Sequence, residues 1–257
     1  AGLKIITTLD ADLQQIAEDV VATGADSNES KGAYNAALTA IDPKTGQVLV
    51  MVGSRDYWKD PLPAGCDPGI NCKFDGNVNV VLRSRQPGSS FKPFVYATAF
   101  KKGYTDKTIL FDVPTEFDTG CNSFSQPISL GAKCYSPNNF DLKFRGPVTV
   151  RQALASSLNV PAVEMLYLAG VDDSINTAED MGLTTLKDRS RFGLSLVLGG
   201  GEVKLLEMVS AFGIFATEGV KHQPAVILRI EDSKGKVLEE YKDEPVQVLD
   251  SEVARLI

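Results

Sequence analysis

Apolar and polar positions along the chain predict a mixed set of elements. Leu3 to Thr7 reads as a strand. Asp10 then predicts the cap of an amphipathic helix with Leu13, Ile16, Ala17, Val20 and Val21 on one face, followed by a polar loop from Gly24 to Lys31. Ala36 to Ile41 and Gln47 to Val52 flank Asp42-Pro43-Lys44-Thr45-Gly46, which predicts a hairpin. A long loop spans Asp56 to Gly76. Phe91 to Phe100 is almost wholly apolar, the pattern of a helix buried on all sides. Residues 103 to 147 are turn-rich. Val148 to Leu158, Val160 to Leu168, Ser174 to Met181 and Glu202 to Thr217 read as helical. Ala225 to Glu231 and Val237 to Tyr241 read as strands around a Ser233 to Lys236 turn, and Asp250 to Ile257 opens another helix. Strands and helices mix without regular alternation, so the expected class is α+β rather than a doubly wound sheet.

Composition narrows the function classes. The 257 residues carry 26 Lys plus Arg against 33 Asp plus Glu, a net charge of −7, which argues against a dedicated nucleic-acid binder. With 43% apolar and 23% charged residues the chain matches a globular domain. No apolar run approaches a membrane span, and no signal peptide precedes the first strand. The chain opens on Ala1 and reads as a piece of something longer.

Cys66 and Cys72 share one loop, and Cys121 and Cys134 another. No C-x-x-C occurs and His222 stands alone, which makes a zinc site a poor fit. Four cysteines allow three pairings; near-neighbour pairing is the simplest, and four unpaired buried thiols are the alternative. Bridges would point to an oxidising, extracytoplasmic compartment.

Ser-x-x-Lys on a helix puts a hydroxyl and an amine on one face, about a turn apart. At a helix start the dipole favours the developing alkoxide, and desolvation favours a neutral lysine able to take the serine proton. The pattern occurs at Ser89/Lys92 and at Ser233/Lys236. The second sits in a polar turn between strands and carries no expectation. The first follows Pro87-Gly88 and opens the apolar helix, where Pro93 falls in the tolerant first turn.

The string around it, RQPGSSFKPF (Arg85 to Phe94), resembles the active-serine motif of the class A penicillin-binding proteins. GLKIITTLDADLQQIAE (Gly2 to Glu18) and AIDPKTGQVLVMVGSRDY (Ala40 to Tyr57) resemble the start and first hairpin of their transpeptidase domain. YSPNNFD (Tyr135 to Asp141), VTVRQALASSLNVPAVEM (Val148 to Met165) and GLSLVLGGGEVKLLEMVSAFGIFA (Gly193 to Ala216) follow in the family's order. The resemblance implies an antiparallel sheet with helices on both sides, filled by residues 1–257 as one incomplete transpeptidase domain. It implies Ser89 as nucleophile and Lys92 as base. In Ser157-Leu158-Asn159, expected at the end of a helix before Pro161, it implies Ser157 as proton relay and Asn159 as a holder of the substrate amide. Ser136-Pro137-Asn138 and Ser174-Ile175-Asn176 also match Ser-x-Asn and read as capping or turn residues.

The family's third motif, Lys-Thr-Gly, occurs only at Lys44-Thr45-Gly46, where it reads as hairpin-turn chemistry and a decoy. Nothing after Asn159 matches Lys-Ser/Thr-Gly, so this chain is expected to stop before that strand and to be weak or inactive alone. Gly199-Gly200-Gly201 lacks the frame of a phosphate loop, and His222 carries no expected role.

By resemblance, the reaction is cross-linking of peptidoglycan stem peptides, with a D-Ala-D-Ala donor and an amine acceptor. β-Lactams would trap Ser89 as an ester. No metal, cofactor or nucleic acid is implied. A glycosyltransferase domain and membrane anchor would precede Ala1, a C-terminal fragment could complete the sheet, and the compartment would be the outer face of the cytoplasmic membrane. Two rivals remain: a serine D,D-carboxypeptidase or β-lactamase using water, and a non-catalytic wall-peptide-binding module.

Overall fold

A computed structural model describes residues 2–68 and 70–257. In chain order the elements are β1 (Lys4–Thr7), α1 (Ala11–Glu29), β2 (Leu38–Ile41), β3 (Val48–Val52), β4 (Ser84–Arg85), α2 (Lys92–Lys101), β5 (Ile109–Asp112) and β6 (Gly146–Thr149). They continue as α3 (Val150–Ala155), α4 (Asn159–Ala169), α5 (Val171–Asp180), β7 (Val203–Lys204), α6 (Leu205–Ala216), β8 (Val220–Lys221), β9 (Ile227–Glu231), β10 (Val237–Glu240), β11 (Val246–Gln247) and α7 (Ser251–Leu256). Every pairing between these strands is antiparallel, and the class is α+β.

The chain divides into two compact units. The first comprises residues 1–85, 180–185 and 202–254. Its β1, β9 and β10 form a three-stranded sheet, and β2 pairs with β3 through the expected hairpin. Asp42 shapes the hairpin turn: its carboxylate accepts the Lys44 N–H and the Thr45 hydroxyl, and Gly46 takes φ +71°. Thr45 is thereby engaged in ordinary turn chemistry, and Lys44-Thr45-Gly46 is a turn tip.

Asp10 caps α1 by accepting the N–H groups of Asp12 and Leu13, as its side chain predicts. Two details differ from the sequence pattern. The buried side of α1 is Ala17, Val21 and Ala25, packed toward β3 with Val50 and Val52, whereas Leu13, Ile16 and Val20 are exposed. The helix also runs through the segment expected to be a loop, ending at Glu29. Its last turns are held by the buried Arg55 guanidinium, which bonds the Asp26 carboxylate and, at 2.9 Å, that of Glu29. A tertiary ion pair thus overrides weak local propensity.

The second unit comprises residues 86–179, 186–201 and 255–257. Its centre is α2, with Phe94, Val95, Tyr96, Ala97 and Ala99 fully buried, packed on the apolar α4. The turn-rich region hides a strand pair, β5 with β6, in register Ile109↔Thr149 to Asp112↔Gly146. Cys66–Cys72 and Cys121–Cys134 are both disulfides. The second closes a loop whose base is tied by Glu116, which accepts the N–H groups of Asp118 and Tyr135.

Candidate active site

All four residues singled out from the sequence lie in the second unit. Pro87 and a left-handed Gly88 (φ +59°) turn the chain sharply into a 3-10 segment, Gly88–Phe91, that runs directly into α2. Ser89 sits in that segment, exposed, and its hydroxyl makes no hydrogen bond among the described residues. The neighbouring Ser90 hydroxyl donates to the Pro87 carbonyl at 2.6 Å, tying down the turn. Lys92 begins the α-helix three positions on, its backbone N–H bonded to the Ser89 carbonyl.

A glycine far along the chain supports this turn. The 3-10 segment Leu194–Leu198 ends at Gly199, with φ +93°. A Cβ there would lie 2.2 Å from the nitrogen and 2.4 Å from the Cα of Gly88, so the two backbones touch. Gly199 is therefore a packing device under the serine turn, while Gly200 and Gly201 pack against Ser195 and against Leu186, Leu196 and Phe192. No local sequence signal marks it.

Lys92 is 1% exposed, yet no carboxylate bonds its ammonium. Its Nζ faces four neutral oxygens: Ser157 O at 2.7 Å, Asn159 Oδ1 at 2.9 Å, Leu158 O at 3.1 Å and Ser157 Oγ at 3.2 Å. Desolvation pushes its pKa down from 10.5 to about 8. At neutral pH about a tenth of such lysines are uncharged, against fewer than one in a thousand at the ordinary value. A neutral amine has a lone pair for a proton, and the Ser157 hydroxyl can accept from the ammonium or donate to the amine.

Ser157 and Asn159 do not end one long helix. They occupy the connection between α3 and α4, and Asn159 opens α4. Ser157 takes φ +51°, a left-handed conformation that costs a serine about 1–2 kcal/mol. That twist turns both its carbonyl and its hydroxyl to Lys92.

A buried polar brace behind Asn159 escaped the sequence reading. The Asn159 side chain donates to the Asn138 carbonyl at 2.8 Å, and its backbone N–H donates to Asn139 Oδ1 at 2.8 Å. Asn139 is 3% exposed; its amide donates to Asp112 Oδ1 at 2.7 Å and to the Lys143 carbonyl at 2.8 Å. Asp112 is fully buried at the end of β5, and its other oxygen accepts the Arg145 N–H at 3.0 Å. Ser136-Pro137-Asn138 is thus more than a turn: Asn138 and its neighbour Asn139 hold Asn159 to the strand. The signal available was Asn138-Asn139 within the Tyr135 to Asp141 string. Ser174 is buried in α5 and donates to the carbonyl of Gly170, the residue just before that helix. In the other unit, His222 pairs with Asp243 at 2.6 Å, and Ser233 and Lys236 lie at the β9–β10 turn.

An exposed serine at a helix start, with a buried lysine of lowered pKa one turn on, is the equipment of covalent acyl transfer. Comparison with known proteins agrees. Residues 36–257 match the model of the penicillin binding protein transpeptidase domain. The chain belongs to that family. It is 33% identical over 255 residues to penicillin-binding protein 2D of Bacillus subtilis (strain 168), covering 99% of this chain and 33% of that protein. It is also 33% identical over 212 residues to penicillin-binding protein 1A of Aquifex aeolicus (strain VF5), covering 82% of this chain and 25% of the relative. The chain therefore spans a third or less of these relatives' length. Among solved structures, the penicillin-binding protein PonA1 from Mycobacterium tuberculosis superimposes with TM-score 0.76 at 21% identity, covering 98% of this chain and 61% of that one. The imipenem acyl-enzyme complex of penicillin-binding protein A from M. tuberculosis gives 0.75 at 19% identity, covering 98% and 61%. At that identity these likenesses speak for the penicillin-binding fold.

Proposed function

We propose that this chain carries the acylating half of a peptidoglycan D,D-transpeptidase site. Ser89 Oγ attacks the carbonyl between the two terminal D-alanines of a stem peptide, and its proton passes to Lys92 Nζ. The Oγ–C bond forms and, as the tetrahedral adduct collapses, the C–N bond breaks. The departing amine of D-alanine takes a proton delivered through the Ser157 hydroxyl. An amine of a second stem peptide then attacks the ester, forms the cross-linking amide and returns Ser89. The Ser89 N–H is one oxyanion donor, and Asn159 holds the substrate amide.

The observation that carries this reading is Lys92 buried among neutral oxygens with a pKa near 8. A cation kept for stability is paired with a carboxylate; one kept as a base is left able to lose its proton. No carboxylate is among its partners to activate a water, which favours an amine acceptor over hydrolysis. The two disulfides suit an oxidising compartment, and the outer face of the cytoplasmic membrane is where the substrate lies. Among the described residues no helix is long and apolar enough to cross a membrane. Because no Lys-Ser/Thr-Gly follows Asn159, the isolated chain should acylate slowly.

Intact mass after incubation with benzylpenicillin tests the reading. One covalent penicillin on the protein at its natural length, absent in Ser89→Ala, is expected. An adduct that persists in Ser89→Ala would place the nucleophile elsewhere.

A further inference from the structure

A cavity of about 620 Å³ lies in the first unit, between α1 and the segments that follow β3. Ligand sites run from about 300 to 1,000 Å³, so its size suits a small molecule. Ser89 and Lys92 belong to the other unit. Part of its lining is close-packed backbone. A Cβ on Gly76 would lie 2.4 Å from the Asp56 carbonyl oxygen, and the Ser54 hydroxyl donates to the Gly76 carbonyl at 2.8 Å. Tyr57 and Trp58 line the cavity with their rings edge to face, centroids 4.8 Å apart. Asp56 shapes the bend that presents them, its Oδ1 accepting the Trp58 N–H at 2.9 Å. Trp58 is nonetheless 87% exposed, and so large an apolar surface left in water beside a cavity marks a contact surface rather than core.

The α1 side supplies polar groups held in place. Gln14 is spent on β3: its Oε1 accepts the Met51 N–H at 3.0 Å, and its Nε2 donates to the Met51 carbonyl at 3.2 Å and to Glu18 Oε1 at 2.8 Å. Glu18 is thereby tethered to the strand, and its Oε2 has no partner among the described residues. Gln15 likewise donates to Asp19 Oδ1 at 3.2 Å and leaves Asp19 Oδ2 unbonded. The Asn77 side-chain amide, exposed in the lining, also makes no hydrogen bond among the described residues. Arg55, the one cation in the lining, is committed to Asp26 and Glu29.

The free groups are therefore mixed: carboxylate oxygens that accept, an amide that donates and accepts, and an indole face. An anion would be repelled, and a bare cation would leave the amide donors unused. A hydroxyl donates and accepts at once. A pyranose carries several around a ring whose C–H face is apolar and slightly positive, the complement of the negative face of an indole. We propose that this cavity binds a neutral saccharide chain, with one pyranose ring stacked on Trp58 and its hydroxyls bonded to Glu18, Asp19 and Asn77. The site does not rest on the transpeptidase reading, since binding is read without acylation.

The probe is chitotriose, a neutral trimer, with its fully deacetylated, cationic counterpart as control. The protein at its natural length carries 5-fluorotryptophan, and the fluorine NMR signal missing from Trp58→Phe is that of Trp58. Chitotriose is expected to shift that signal saturably, and equally at low and high salt. Glu18→Ala with Asp19→Ala should weaken this binding about tenfold or more. Both residues are exposed on α1, where alanine is the best helix former, so the fold is kept. No saturable shift with chitotriose would overturn the proposal, as would undiminished affinity in the double variant. A shift with the cationic trimer alone would overturn it too, by making the cavity an acidic surface for cations. A protein that takes up penicillin at Ser89 yet shows no Trp58 shift would lose this site and keep the other.

Discussion

Among the described residues each unit buries one cation, and the two are treated in opposite ways. Arg55, in the first unit, is 8% exposed and held by two carboxylates, Asp26 and Glu29. Lys92, in the second, is 1% exposed and surrounded by carbonyl, hydroxyl and amide oxygens that carry no charge. An arginine cannot lose its proton in a protein, so its burial demands counter-charge. A lysine can, and withholding counter-charge is what lowers its pKa. The difference separates a cation that joins α1 to the loop after β3 from one whose burial makes its proton easier to lose.

The comparison can be broken in four ways, of decreasing size. Lys92→Met should reduce the rate of penicillin acylation by about a thousandfold or more, because the base is lost and the Ser157 hydroxyl is left with no proton to relay. Stopped-flow acylation or mass spectrometry reads this, and a near-normal rate would return Lys92 to a structural role. Arg55→Met should leave acylation unchanged but destabilise the fold by roughly 2–3 kcal/mol, seen as a lower midpoint in urea. The loss is moderate because Asp26 and Glu29 retain access to water. Acylation should follow pH as the neutral fraction of Lys92 does. The rate constant rises about tenfold per unit below pH 8 and levels off above it, the reverse of what a required ammonium gives. A flat profile between pH 6 and 9 would remove the lysine as base. Asp26→Asn should cost less than about 1 kcal/mol, since its carboxylate is 72% exposed and Glu29 remains with Arg55.

Much of this was legible in the chain. The Asp42 to Gly46 turn between alternating runs gave the hairpin, and the apolar run after Pro87-Gly88 placed Ser89 and Lys92 at the head of a buried helix. Both signals are local, with periodicity and turn chemistry agreeing. What escaped depends on partners distant in sequence. β5 and β6 are four residues each and exist by pairing across the loop that carries Cys121 and Cys134. The end of α1 depends on Arg55. The expected apolar face of α1 holds for Ala17 and Val21 but not for Leu13, Ile16 and Val20, which are exposed; the buried stripe runs on through Ala25 instead, because small side chains are what let helix and strand approach. Asp112 and Asn139 are single polar residues whose purpose appears only once the fold joins them to Asn159. The sequence pattern also ran Ser157 into the preceding helix, where a positive φ instead makes a sharp corner.

The contact between Gly199 and Gly88 bears on how such a site can change over generations. Any residue with a side chain at 199 would drive its Cβ into the backbone beside the serine. A lineage of this chain therefore has no viable spelling at that position other than glycine, although it lies more than a hundred codons from Ser89. New side chains must enter where the surface leaves them room, such as at the exposed Phe140 and Leu142.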